Sequence, residues 1–265
     1  MPRGGPGRPP LKPPPGLGGT QVEGRQAVRE LLRAGKRGVR QLYVAEGGRE
    51  GGSDALAEIL DLADAAGVAV RRVPRDRIDS MAGTDAPQGV VAVAAPVREW
   101  SLEDLTGVEA PFLVVLDGVT DPHNLGAVMR TALCAGATGV VIGRHRSASL
   151  SPAAVKAAAG AVEHLPVATV AGVPAALRSL HEAGVWTVGL DSAGPASIWE
   201  LTVATEPVAL VLGAEGRGLA PLTRSRCELL ASIPLAGPLE SLNVSAAAAL
   251  GCFEVARRRA GGSSN

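Results

Sequence analysis

The chain has 265 residues, of which 46% are hydrophobic and 20% charged, and this balance predicts a globular protein with one large domain or two small ones. Its 26 basic and 26 acidic residues cancel, so any nucleic-acid-binding surface has to be local, and 2% aromatic residues disfavour a base-stacking platform. Three scattered cysteines in apolar contexts, with no signal sequence or membrane span, predict a cytoplasmic protein with reduced core thiols and no membrane partner.

The first twenty residues are rich in proline and glycine and contain no acidic residue. Such a segment cannot bury enough apolar surface to fold. We therefore predict that residues 1–20 form a disordered basic tail, with contact to RNA phosphates as the alternative.

Residues 21–97 have the pattern of a small α/β domain. Apolar spacing predicts helices and strands in alternation. The predicted helices are 24–34, 54–66 and 75–81, and the predicted strands are 41–45, 68–73 and 90–95. Basic residues cluster near the start of this domain, where they are either solvated surface residues or a face for the RNA backbone. The candidate RNA-binding residues are Arg25, Arg33, Lys36, Arg37 and Arg40.

A polar stretch, residues 98–107, is predicted to link this domain to a second one at residues 108–260. There, short apolar strands alternate with helices, a pattern that predicts a parallel sheet covered on both faces. The predicted strands are 112–116, 139–142, 167–170, 186–190, 208–212 and 229–233, and the predicted helices are 124–136, 152–160 and 173–183. Because such sheets bind ligands beyond the carboxyl ends of their strands, we expect the functional site at that edge.

Three polar or glycine-rich stretches follow predicted strands. In residues 117–130, Asn124 fits a helix N-cap and Arg130 fits a surface helix residue, and the two need not share a face. Residues 212–219 contain three glycines but lack the spacing of a dinucleotide fingerprint, which argues against a nicotinamide oxidoreductase. Residues 233–245 end a strand at Pro234 and open an alanine-rich helix near Ser241.

Taken in order, these three stretches resemble the signature motifs of the SpoU (TrmH) family of RNA ribose 2′-O-methyltransferases. The resemblance implies S-adenosylmethionine as cofactor and a C-terminal α/β domain tied in a deep trefoil knot. Residues 21–97 resemble a substrate-binding domain of one branch, through Gly24–Val28 and the pair Gln88-Gly89. Enzymes that methylate a guanosine of 23S ribosomal RNA are the most similar branch. Transfer-RNA and antibiotic-resistance methyltransferases share the motifs, so they remain alternatives.

The resemblance also implies roles for individual residues. The implied catalytic residues are Arg130, Asn124, Glu215, Ser241 and Asn243. The implied cofactor-binding residues are Gly213, Ile233, Leu242, Leu212, Leu235 and Ser245. Because a guanidinium does not readily lose its proton, we favour charge stabilisation by Arg130 at the ribose oxygen or a phosphate, with a part in proton removal left open.

Two further expectations concern metals and partners. The four histidines are scattered without ligand spacing, so we predict no metal site. The alanine-rich helix permits close packing, and the family pairs through this domain, which together predict a homodimer. The alternative from another class is a catalytically silent RNA-binding protein that keeps the fold, and the intact motif residues argue against it.

Overall fold

The computed structural model describes residues 16–47 and 54–262. Most of the predicted disordered tail therefore lies outside the described residues. Its end does not fit the prediction, because Leu17 and Gly19 donate backbone hydrogen bonds to the carbonyls of Val97 (3.0 Å) and Leu150 (2.9 Å). Leu17 also packs against the hydrophobic core, so the ordered chain begins earlier than expected.

The N-terminal domain is built on a four-stranded sheet. Its elements are β1 (Gln21–Glu23), α1 (Arg25–Ala34), β2 (Val39–Ala45), α2 (Asp54–Ala65), β3 (Val70–Val73), α3 (Arg75–Met81) and β4 (Val90–Ala94). The strand order is β1-β4-β2-β3, with β2 and β3 parallel and the other neighbours antiparallel. Helix α1 buries the apolar side chains that predicted it and ends at Gly35, which has a φ of 59°. Strand β1 was not predicted, since three residues show no usable alternation.

The C-terminal domain is built on an eight-stranded sheet. Its elements are β5 (Glu99–Trp100), α4 (Leu102–Thr106), β6 (Phe112–Asp117), α5 (Pro122–Cys134), β7 (Gly139–Gly143), α6 (Pro152–Ala157), β8 (Val167–Val170), α7 (Val173–Glu182), β9 (Trp186–Leu190), β10 (Ala196–Ser197), β11 (Val208–Gly213), α8 (Pro221–Arg226), β12 (Leu229–Ser232) and α9 (Val244–Gly262). The order is β10-β12-β9-β11-β6-β7-β8-β5, and each neighbouring pair is parallel. The predicted parallel α/β sheet is confirmed. Strand order does not report how a chain threads, so the knot stays a prediction.

The stretch predicted as a linker, residues 98–107, is ordered. Strand β5 pairs with β8, and α4 begins with a capping box in which Ser101 and Asp104 exchange hydrogen bonds of 3.0 Å. The predicted linker therefore contributes a strand to the large sheet, which the sequence did not indicate, because a two-residue strand at a sheet edge leaves no periodic signal.

Both faces of the large sheet are buried, as a parallel sheet requires. Along β6, Phe112, Val114 and Leu116 face one hydrophobic cluster and Leu113 and Val115 face another. The first cluster also holds buried side chains of α5, α6 and α9, and the second holds those of α4 and α7.

Glycine at position 126 allows close approach between two helices of this domain. A Cβ on Gly126 of α5 would lie 2.6 Å from the Cβ of Ala157 in α6 and would collide with the backbone of Ala154. The glycine of the first motif therefore has a packing role, because it lets α5 approach α6 closely.

Arg37 joins the two domains through a buried ion pair. Its guanidinium donates to both carboxylate oxygens of Glu163, at 2.8 and 2.5 Å, and to the carbonyls of Gly19 (2.9 Å) and Ala95 (2.8 Å). The two side chains are only 7% and 1% exposed. The prediction that Arg37 contacts RNA is therefore wrong, because its charge is neutralised in the interior.

Candidate active site

A cavity of about 380 Å³ lies beyond the carboxyl ends of β9, β11 and β12, against the start of α9. This is the edge of the sheet where the sequence placed the site. Its walls include five residues predicted to bind the cofactor, namely Leu212, Gly213, Ile233, Leu235 and Leu242. Ser241, predicted to be catalytic, also lines it.

Ser245 has a different position from the one predicted. It is not among the lining residues of the cavity. Instead its backbone N–H and its hydroxyl donate to Oδ1 of Asn243, at 2.8 and 2.6 Å. Ser245 thus fixes the orientation of Asn243 at the start of α9.

A glycine is required where β11 enters the loop that closes the cavity. The loop folds back on itself, with Ala214 and Gly218 exchanging backbone hydrogen bonds of 3.0 and 2.8 Å. Any Cβ on Gly213 would collide with the backbone of Gly218, and Gly218 itself has a φ of 64°. The second motif therefore encodes a tight hairpin that places Glu215 at the mouth of the cavity.

Side chains from all three motifs meet beside this loop. Asn124 donates from Nδ2 to Oε1 of Glu215 at 2.9 Å. Asn243 donates from Nδ2 to the same carboxylate oxygen and to Oδ1 of Asn124, the latter at 3.3 Å. The three residues are far apart in sequence, so only the folded sheet brings them together.

Asn124 is not the helix N-cap that its position suggested. Asp121 has that role, accepting from the N–H of His123 at 3.0 Å, and Pro122 occupies the first helical position. Asn124 therefore lies inside the first turn of α5, where it is buried, and its amide is available to Glu215.

Arg130 does not join this cluster within its own chain. It lies six residues after Asn124 on α5, about 240° around the helix, and its side chain is exposed. Its side chain makes no hydrogen bond or ion pair with the part of the chain that the structure describes. Asn124 and Arg130 of the first motif thus lie on different faces of α5, one buried beside Glu215 and the other exposed.

Several cavity residues were missed by the sequence analysis, among them Asp191 and Arg224. Asp191 follows β9 directly, and Oδ2 of its carboxylate accepts from Nε of Arg224 at 2.8 Å; both residues line the cavity. A polar residue directly after a buried parallel strand is the signal that identifies Asp191. The signal for Arg224 is absent from the sequence, since it depends on how α8 packs.

The cavity suits a ligand that contains a nucleoside. Leu212, Ile233, Leu235 and Leu242 give it apolar walls, and the adjacent loops supply backbone polar groups. Its lining is also charged, with the carboxylates of Asp191, Glu215 and Glu240 and the guanidinium groups of Arg217 and Arg224. This donor set fits S-adenosylmethionine, which joins an adenine ring to a cationic sulfur.

Metal-ligating side chains and cysteine thiols, the other groups that could take part in catalysis, are less suited to it. No cluster of three or more His, Cys, Asp or Glu that could hold a metal ion occurs within residues 16–47 and 54–262. Burial raises the pKa of the Cys227 and Cys252 thiols to about 12, which keeps them protonated. Cys134 is exposed, so the prediction of a core thiol is wrong at that position.

The remaining basic candidates lie on the N-terminal domain. Arg25 is half-buried and donates from Nε to the carbonyl of Gln88 at 3.3 Å. Arg33 pairs with Glu30 and Glu58 yet stays 45% exposed. Lys36 and Arg40 are exposed.

Among the described helices of the whole chain, none has the length and apolarity needed to cross a membrane.

Comparisons with known proteins match both halves of the chain. A sequence model of the SpoU rRNA methylase family matches residues 111–253, and one of the RNA 2′-O ribose methyltransferase substrate-binding domain matches residues 21–100. The 23S rRNA (guanosine-2′-O-)-methyltransferase RlmB of Ralstonia nicotianae is 41% identical over 239 residues, covering 89% of this chain and 94% of that protein.

Solved structures are similar over the same extent. The AdoMet-bound rRNA methyltransferase from Sinorhizobium meliloti has a TM-score of 0.75 at 29% identity, covering 90% of this chain and 87% of that chain. The SpoU methyltransferase AviRb from Streptomyces viridochromogenes, in complex with AdoMet, has a TM-score of 0.75 at 26% identity, covering 91% and 90%.

Proposed function

The chain belongs to the SpoU rRNA methylase family, and we propose that its target is a guanosine of 23S ribosomal RNA. It is an enzyme that transfers a methyl group from S-adenosylmethionine to a ribose 2′-hydroxyl of ribosomal RNA. The observation that carries this function is the meeting of Asn124, Glu215 and Asn243 beside an apolar cavity at the edge of the sheet. The guanosine and the 23S RNA rest on what the similar methyltransferase from Ralstonia nicotianae is named for.

Residues of this chain divide the work of the reaction between them. When bound, S-adenosylmethionine supplies the electrophilic methyl group on its cationic sulfur. Leu212, Ile233 and Leu242 hold the adenosyl part in the apolar slot. Glu215 holds the amides of Asn124 and Asn243 in place, so that their polar groups and Ser241 can orient the ribose hydroxyl in line with the methyl group.

The ribose hydroxyl loses its proton to solvent when its oxygen is methylated, and Arg130 is proposed to stabilise the negative charge that develops on that oxygen or an adjacent phosphate. Arg130→Ala should therefore abolish methyl transfer and leave S-adenosylmethionine binding nearly unchanged, because the residue lies outside the cavity. Calorimetric titration and an RNA methylation assay check both parts. Wild-type turnover in the variant would remove Arg130 from the mechanism.

The proposed active form is a homodimer. Helices α5 and α9 pack against each other, and α9 leaves Leu250 and Phe253 38% and 51% exposed. Only part of the alanine-rich face predicted for this contact is available to a second chain, because Ala248 and Gly251 are buried against the chain's own core. The exposed side of α9 is therefore the proposed contact.

In such a dimer, the exposed Arg130 of one chain could reach the active site of the second chain. Light scattering should give about twice 26.8 kDa at micromolar concentration, and a mass of 26.8 kDa alone would reject the dimer. Mixing inactive Arg130→Ala and Glu215→Ala chains tests the shared site. Mixed dimers should regain part of the activity if one chain supplies Arg130 to the other, and stay inactive if each site is complete alone.

Residues 21–97 are proposed to select the RNA, and residues 108–260 to bind the cofactor and carry out methyl transfer. RNA affinity that depends on cation–phosphate contacts falls as the salt concentration rises. Removing each such cation lowers the slope of log affinity against log salt concentration by about one. Lys36→Ser/Arg40→Ser should weaken RNA binding and lower that slope by about two. The matched control, Arg178→Ser/Arg226→Ser, removes two exposed cations from α7 and α8 and should behave like the wild type.

A further inference from the structure

A second cleft, of about 1,100 Å³, lies beside the cofactor cavity. It is formed by the loops that follow β6, β7, β8 and β11, which are adjacent strands of the sheet. Glu215 and Arg217 line both spaces, so the loop after β11 is the wall between them. The cleft is thus an open space next to the cofactor cavity, with the loop after β11 in common.

Two of the charged side chains of this cleft can contact an anion. Its acidic residues are engaged: Asp117 accepts from the N–H of Ala220 at 2.9 Å, Asp121 caps α5, and Glu215 accepts from Asn124 and Asn243. Its two arginines, Arg146 and Arg217, are exposed and make no side-chain hydrogen bond or ion pair with the described residues. The two guanidinium groups therefore have unused donors for an anionic ligand, whereas the carboxylates keep their charge but already accept hydrogen bonds from neutral groups.

Arg146 has an unusual backbone conformation. Its φ is 55°, in the left-handed region that is strained for a non-glycine residue. Arg144, two residues earlier, is a contrast, because its guanidinium donates to Glu99 (3.3 Å) and Thr169 (3.2 Å) and it is not among the residues that line the cleft. Arg144 can therefore serve as the control when Arg146 of the same loop is replaced.

We propose that this cleft holds the RNA strand next to the methylated nucleotide, with Arg146 contacting a backbone phosphate. The proposal rests on the proposed function. A ribose hydroxyl presented beside Glu215 brings the neighbouring nucleotides into the adjacent space, and their phosphates need cations at short range. Arg146 is thereby a substrate-positioning residue of the catalytic domain, separate from the basic residues of the N-terminal domain.

The test compares three variants of the full-length chain with the wild type, using ribosomal RNA from a strain that lacks the gene. Arg146→Asn removes the charge but keeps a residue that tolerates the left-handed backbone. Arg146→Lys keeps the charge, and Arg144→Gln removes the paired charge of the same loop. The measured quantities are the KM for RNA, RNA affinity at several salt concentrations, and the Kd for S-adenosylmethionine.

Arg146→Asn should raise the KM for RNA about tenfold, the value expected for one charge-assisted hydrogen bond, and lower the salt slope by about one. Arg146→Lys should retain most of the affinity, and Arg144→Gln should match the wild type. The Kd for S-adenosylmethionine should stay constant in all, which also reports an intact fold. Equal KM and slope for Arg146→Asn and wild type would overturn the proposal. Failure of the proposed function would appear differently, as no methylation of ribosomal RNA by the wild type.

Discussion

Replacing Glu163 by alanine should destabilise the contact between the two domains by about 3 kcal/mol. The change leaves the Arg37 guanidinium in the interior without its carboxylate, and breaking a buried pair costs about 3–5 kcal/mol. The lower end applies because Nη1 of Arg37 keeps its bonds to the carbonyls of Gly19 and Ala95. Arg37→Ala should cost more, about 5 kcal/mol, because it strips donors from those carbonyls as well as from the carboxylate.

Hydrogen exchange is the suitable assay, because two domains can open separately and a single unfolding curve would mix them. Peptides that span residues 16–20 and 160–165 should lose protection in both variants. Arg75→Ala is the control, since it removes an exposed 3.7 Å pair with Asp79 and should cost less than about 1 kcal/mol. If Glu163→Ala loses no more protection than this control, the stabilising role of the buried pair is refuted.

Three shorter predictions concern the cavity, the thiols and the last helix. Gly213→Ala should weaken S-adenosylmethionine binding at least tenfold, as measured by calorimetry, because its Cβ would force the loop after β11 to move. A maleimide at pH 8 should label Cys134 in the folded chain and Cys252 only after denaturation, as read by peptide mass spectrometry, because burial raises the pKa of the Cys252 thiol to about 12. Hydrogen bonds from Arg257 and Arg258 lower the pKa of Glu254, so its stabilising contribution is present above its unfolded pKa, near 4.5, and is lost as pH falls through the lower folded value. Unfolding curves of Glu254→Gln below about pH 4.5 should therefore depend less on pH than those of the wild type.

Long apolar runs made most of the fold predictable. Strands such as β6 and β11 are continuous apolar segments, and α1 carries its buried residues at helical spacing. The strands that were missed are short: β1, β5 and β10 have two or three residues, and their pairing comes from strands far away in sequence. Their existence is a tertiary property that local pattern does not carry.

The site was predictable to a similar extent. Resemblance to the family identified Asn124, Glu215 and Asn243, which the fold then brings within hydrogen-bond distance. The charge of Arg37 looked the same as that of its basic neighbours, because its partner Glu163 lies 126 residues away. Residue types in the sequence indicate which side chains can react. Their burial and their ion pairs, which depend on the fold, decide which of them face the ligand.

The most direct test of the proposed function follows the methyl group. Purified protein is incubated with methyl-labelled S-adenosylmethionine and total RNA from a strain that lacks the gene, and nucleoside mass spectrometry then locates the label. We predict 2′-O-methylguanosine in 23S ribosomal RNA and no label in transfer RNA. Label on a base, or no label in ribosomal RNA from protein that binds the cofactor, would contradict this function.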